Sequence, residues 1–113
     1  MIKGFEKETH ELTEQELKLV GLMVQGLKTK IGKINAITNK KMENALVDVG
    51  YKVNPSRIRK LIHHIRVKKL VPNLISTNKG YYIATSEEEI FDYIESLQQR
   101  INSIEEIKNS FNI

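Results

Sequence analysis

Apolar side chains recur every three to four residues over four stretches of this chain. Over one further stretch the period shortens towards two, so the pattern predicts four helices and a β-hairpin. The first helix starts at Thr13, which forms a capping box with Glu16, and Leu12 before the cap is placed to staple onto Leu17. Leu17, Val20, Val24 and Leu27 follow at helical spacing, with Leu19 and Met23 broadening the stripe, and predict a core-facing helix from Glu14 to about Lys30. The stretch from Ile31 to Thr38 is short and contains Gly32. It reads as a connector with room for a short strand, anchored by Ile34 and Ile37. A second helix is predicted from about Lys40, capped by Thr38 or Asn39. Met42, Ala45, Leu46 and Val49 form its apolar face, and Gly50 ends it in the left-handed conformation.

The third helix is the most informative. Asn54 and Pro55 supply a cap residue and a proline at the first helical position, and Ile58, Leu61, Ile62 and Ile65 define a buried face. At about 100° per residue, Ser56, Lys60, His63 and Val67 lie opposite that face, flanked by Arg59 and Arg66 on one side and by Arg57 and His64 on the other. After Leu70, residues 71–76 and 81–85 read as two short strands rich in β-branched and aromatic residues. Thr77, Asn78, Lys79 and Gly80 join them, with Asn78 and Gly80 able to take positive φ, and Pro72 is tolerated near the start of an edge strand. Ser86 and Glu89 make a second capping box, and Glu87, Glu88 and Glu89 suit the positive end of a helix dipole. That last helix is expected to reach about Asn109, a length of roughly 34 Å.

Charge changes the picture, because it is segregated. Residues 28–86 hold thirteen Lys or Arg against Glu43 and Asp48, a net of +11 in a chain whose total is +4. The segments before and after carry −2 and −5. Between Glu43 and Glu87 the only acid is Asp48, so the exposed face of the third helix has no acid of its own. Solvated helix faces usually mix signs, so a polyanionic partner is the natural reading.

Other chemistries find little support in the sequence. The 113 residues allow one modest core, and the absence of cysteine removes disulfides, thiolate metal sites and a cysteine nucleophile. Residues 1–12 read as a polar N-terminal tail without an apolar leader segment, and no apolar run is long enough to span a bilayer, so a soluble cytoplasmic protein is expected. His63 and His64 point about 100° apart on a helix and cannot easily chelate one ion. No carboxylate in their segment pairs with them for acid–base work, and no phosphate-cradling glycine loop or nucleophile elbow is present. No enzymatic activity, metal, cofactor, small-molecule substrate or membrane partner is expected.

Helix, helix, turn, helix, hairpin is the order of a winged helix-turn-helix domain. The run NPSRIRKLIHHIRVKKLVPNLISTNKGYYIAT resembles the recognition helix and wing of such DNA-binding proteins. Its wording, with HHIRVKKLVPNLIST leading into KGYYIA and then DYIESLQQRI, is similar to small winged-helix proteins of phages and prophages. The resemblance covers about residues 13–97. It implies an α+β, mostly α fold: three helices and a β-hairpin wing over residues 13–86, followed by a long C-terminal helix over 87–113. It also implies that the helix at about 55–69 enters the major groove of double-stranded DNA while the wing, about 71–85, meets the backbone or minor groove. Ser56, Arg57, Arg59, Lys60 and His63 would then face bases and phosphates, with Asn78 and Lys79 at the wing tip and Lys52 in the turn on the backbone. Lys40 and Lys41 are further backbone candidates. Arg66, Lys68 and Lys69 divide between DNA contacts and complementing their helix's negative end. The expected role is transcriptional regulation or replication of a phage-like element.

The last helix suggests self-association. Ile90, Ile94, Leu97, Ile101 and Ile104 follow heptad spacing, with Ile107 and Phe111 prolonging the stripe. The domain can cover Ile90, Phe91 and Ile94, leaving Leu97, Ile101, Ile104 and Phe111 as a homodimer interface, unless the helix folds back on the first one. Two other readings stay open. One is a protein-interaction module that docks a partner through this helix without binding DNA. The other is an RNA or single-strand binder using Tyr81 or Tyr82 as stacking platforms, although alternation along a strand should send one of the two inward.

Overall fold

Helix α1 (Glu14–Leu27) begins where its capping box puts it: the Glu16 amide donates to Thr13 Oγ1 and the Thr13 amide to Glu16 Oε1, each at 3.1 Å. The computed structural model describes residues 12–112, so most of the expected N-terminal tail lies outside the described residues. Helix α1 ends at Leu27 rather than near Lys30. It buries Leu19, Val20, Met23 and Leu27 together with Glu16, while Leu17 is 55% exposed. The inward stripe is therefore turned from the predicted one, and Leu12 packs against the core.

A short 3-10 turn, Lys33–Asn35, fills the connector, and Ile34, expected as an anchor, is 94% exposed. The chain on either side of this turn bonds to strand β2 (Gly80–Ile83). Gly32 N–H donates to Ile83 O at 2.9 Å and Ile83 N–H to Lys30 O at 2.7 Å, while Ile37 and Tyr81 exchange bonds of 3.0 and 2.8 Å. The short strand allowed for in the sequence is thus two isolated bridges, parallel at Ile31 and antiparallel at Ile37.

Helix α2 (Asn39–Asp48) is capped by Thr38, whose Oγ1 accepts from the Lys41 amide at 3.2 Å. It buries Met42 and Leu46, but Ala45 and Val49 face out, contrary to the four-residue stripe expected. Gly50, at φ +93°, ends it as expected, since only glycine takes that conformation at little cost. Helix α3 (Pro55–Val67) starts with Asn54 Oδ1 accepting from the Arg57 amide at 2.8 Å. Ile58, Leu61, Ile62 and Ile65 are at most 3% exposed and form the centre of the core. Lys69, at φ +57°, turns the chain away, so Lys68 and Lys69 lie past the helix end.

Strand β1 (Leu74–Thr77) pairs antiparallel with β2 in the register Leu74↔Ile83, Ile75↔Tyr82, Ser76↔Tyr81, Thr77↔Gly80. Both strands are shorter than expected. Residues 71–73 form a turn in which Asn73 takes φ +63°, leaving Pro72 outside the ladder, and Val71 plugs the core. In the hairpin turn only Gly80 has positive φ; Asn78 does not. Gly80 is irreplaceable for a second reason: a side chain there would collide with the backbone of Ile37 and Thr38.

Helix α4 (Glu87–Asn109) is capped by Ser86, but the Glu89 carboxylate accepts from the Thr85 amide at 2.8 Å instead of closing a box on Ser86. The stripe Ile90, Tyr93 and Leu97 is half-buried, and every residue from 98 to 112 is exposed. Phe91 and Ile94, expected under the domain, are 64% and 54% exposed. The helix therefore runs out from the domain rather than folding back on α1. Arg66 ties its first half down: Nη2 donates to Tyr93 Oη at 2.6 Å with the guanidinium 5.5 Å from the ring centre. The described chain is α+β and mostly helical, and none of its helices is long and apolar enough to cross a membrane.

Two glycines make opposite predictions. Gly80→Ala is expected to destabilise the protein by about 2 kcal/mol or more, from the left-handed backbone and the collision together. Gly21→Ala, at a helical position with open space around it, should stabilise it by about 0.5–1 kcal/mol. Urea unfolding of the two variants checks both signs.

Candidate nucleic-acid interface

Along the outer face of α3, Ser56, Arg57, Arg59 and His63 are exposed, and Arg59 Nη2 donates to Ser56 Oγ at 3.3 Å. Among the described residues, the acid-free face of the sequence acquires one acid in three dimensions. Glu16 of α1, only 3% exposed, places Oε2 3.4 Å from Arg57 Nε and 3.5 Å from Lys60 Nζ. Lys60 is thereby half-buried, and two of the five α3 residues assigned to DNA share an intramolecular partner. One carboxylate between two cations still leaves the trio positive, and both basic side chains keep more than a third of their surface in water. The arrangement holds Arg57 and Lys60 in place without neutralising them.

Burial alone pushes the Glu16 carboxyl upward. The Thr13 amide, the Lys60 and Arg57 charges and the Lys60 hydrogen bond outweigh it and hold the group below the usual carboxylate range. Sequence reading could find Glu16 as a capping residue. Its second role could not be read there, because Lys60 lies 44 positions away.

Asn39 is the other residue whose role was missed. Its Nδ2 donates to Pro55 O at 3.3 Å, and its Oδ1 accepts from Tyr81 Oη at 3.4 Å, so one side chain joins the start of α2, the first turn of α3 and the hairpin. Both bonds are long. The sequence signals only that Asn39 suits a helix start. Tyr82 is buried in the core as alternation requires, but Tyr81 is half-buried rather than facing solvent, and burial raises the phenol pKa of both.

The remaining candidates lie around this assembly. Lys52 is exposed in the turn before α3, and Asn78 and Lys79 are exposed at the hairpin tip, where the Lys79 amide donates to Thr77 Oγ1 at 3.1 Å. Lys40 pairs with Glu43 at 3.6 Å, and Lys41 is exposed. Arg66 is committed to Tyr93, while Lys68 and Lys69 are exposed beyond the helix. On α4, Ile101 and Ile104 are exposed and Leu97 is half-buried; Phe111, just past the helix end, is exposed too. Among the described residues no group of three or more His, Asp or Glu side chains converges. Comparison with protein-family models, with curated proteins and with solved structures gave no match.

The Glu16 pairing has a pH signature. A carboxyl whose folded pKa is depressed stabilises the fold fully above its unfolded value of about 4.3, and that contribution is lost as pH falls through the folded value. Glu16→Gln keeps the shape of the cap and removes the charge. It should cost about 1–2 kcal/mol at pH 7. The gap to the native chain should close as the pH drops below the unfolded carboxyl value, as followed by denaturant unfolding across the acid range.

Proposed function

We propose that the protein is a winged helix-turn-helix protein that binds double-stranded DNA as a homodimer. Helix α3 lies in the major groove and the hairpin on the backbone or in the adjacent minor groove. The observation that carries the reading is the outer face of α3. Ser56, Arg59 and His63 stand in solvent, Arg57 and Lys60 are oriented by one buried carboxylate, and Asn39 links the start of this helix to the hairpin. Arg59 and Lys60 suit guanine acceptors or phosphates, Ser56 suits either, and Lys52 and Lys79 suit phosphates. Element order gives further support, because the bridges at Ile31 and Ile37 supply the rudiment of the first strand that such domains place between their first two helices. The role we assign is transcriptional regulation or replication of a phage-like element, in the cytoplasm. The exposed apolar stripe of α4 favours a second reading, in which the domain is a scaffold and this helix docks another protein without DNA contact.

Fluorescence anisotropy with random-sequence duplex DNA, matched single strand and duplex RNA over a salt series tests the proposal. Duplex DNA should bind best, with a steep log–log salt slope that Arg59→Ala and Lys79→Ala each reduce by about one. A larger loss with Tyr81→Ala than with Arg59→Ala would point to single-strand stacking instead. Absence of binding at low salt would sink the reading and leave the docking module.

A further inference from the structure

The free length of α4 has the composition of a coiled-coil seam, and its charges say which way the partner runs. With Ile94 and Ile101 at heptad positions a, positions d take Ile90, Leu97 and Ile104, and Phe111 continues the spacing just past the helix end. The domain half-covers Ile90 and Leu97, whereas Ile94, Ile101, Ile104 and Phe111 are 54, 49, 65 and 70% exposed. Five acids, Glu88, Glu89, Asp92, Glu95 and Glu106, fall at b, c and f, away from any seam.

Only two charged residues occupy the flanking e and g positions: Arg100 at g and, five residues on, Glu105 at e. In a parallel pair, g of one helix faces e of the next heptad on the other. Arg100 of each copy then meets the partner's Glu105, twice by symmetry. In an antiparallel pair g faces g and e faces e, which leaves Arg100 without an acid. Ile at a with Leu97 at d suits two strands and Ile104 at d suits larger bundles; Lys108 at a decides between them, because it can keep its charge in water beside a two-stranded seam but not inside a larger bundle.

We propose that α4 pairs in parallel with α4 of a second copy of this chain, as a two-stranded coil from about Ile94 to Asn109 held in register by Arg100 and the partner subunit's Glu105. The pairing itself needs no nucleic acid. Its consequence for the target rests on the DNA-binding reading. A parallel stalk carries both domains at its N-terminal end, related by a two-fold axis along the stalk. The duplex they fit is an inverted repeat with half-sites about 34 Å, or a multiple of that, apart.

The test uses the full chain without DNA, so its failure and that of the DNA reading are separate results. Sedimentation equilibrium at micromolar concentration should give twice the chain mass of 13.1 kDa. Ile101→Asp, at a position exposed in the single chain, should give the monomer with an unchanged circular dichroism spectrum. Arg100→Glu should weaken association by about tenfold, and adding Glu105→Arg should restore it. Because the chain has no cysteine, Phe111→Cys offers a single thiol. A parallel dimer should oxidise readily to a disulfide-linked pair. A monomeric native chain would overturn the proposal and leave the α4 stripe to a different protein. A trimer or tetramer would overturn the two-stranded coil. A dimer that neither cross-links through Phe111→Cys nor recovers on charge exchange would overturn the parallel direction.

Discussion

Helix α3 can bury Ile58, Leu61, Ile62 and Ile65 only because α1 and α2 close over them, and that closure sets the terms for everything on the opposite side. A helix locked by four fully covered aliphatic side chains has one rotation about its axis. Its polar residues therefore point in fixed directions, whatever binds them. The same packing draws α1 close enough to bring Glu16 under Arg57 and Lys60. A carboxylate in so dry a place must be paired or protonated. Here the pairing falls on two side chains that a count of positive charge along the sequence treats as free. Net charge overstates what the face offers to a polyanion, and rigidity of the charges that remain is what it receives in return.

The legible parts of the fold are those decided within a few residues of chain. Asn54 followed by Pro55, the Thr13 and Glu16 box and the glycine at position 50 each fix a helix end by local hydrogen bonding or backbone sterics, and each appears as the sequence indicates. The α3 stripe is legible because its four aliphatic residues leave no competing face. Helix α1 is harder: it has apolar residues on more than half its circumference, and the face that turns inward, with Leu19, Val20, Met23 and Leu27, is also the one carrying Glu16 to its cations. Ala45 and Val49 fail for a related reason, since a ten-residue helix against a small core needs only Met42 and Leu46 to seal it.

The connector between α1 and α2 shows a different limit. Its bonds to β2 come from backbone groups, which every residue has, so no side-chain pattern announces them. What could be read is Gly80, although for only one of its two reasons. A turn glycine is ordinary, but this one also sits where the Ile37 carbonyl passes through the space of a side chain. The candidate interface divides in the same way. Exposed residues on α3 and at the hairpin tip follow from periodicity and turn chemistry, whereas Asn39 and Glu16 act across distances in sequence that only tertiary structure closes.

The contact between Arg66 and Tyr93 makes α4 a lever arm rather than a tether. It fastens the second turn of a helix roughly 34 Å long to the end of α3, whose rotation the core already fixes, so the direction of the arm follows from that of α3. Tyr93 stands about 24 Å from the tip at Asn109, so about 10° of slack at that joint swings the tip by about 4 Å, some three quarters of a helical turn. A grip on the tip therefore decides where the whole polar face of α3 points, because domain and arm turn together.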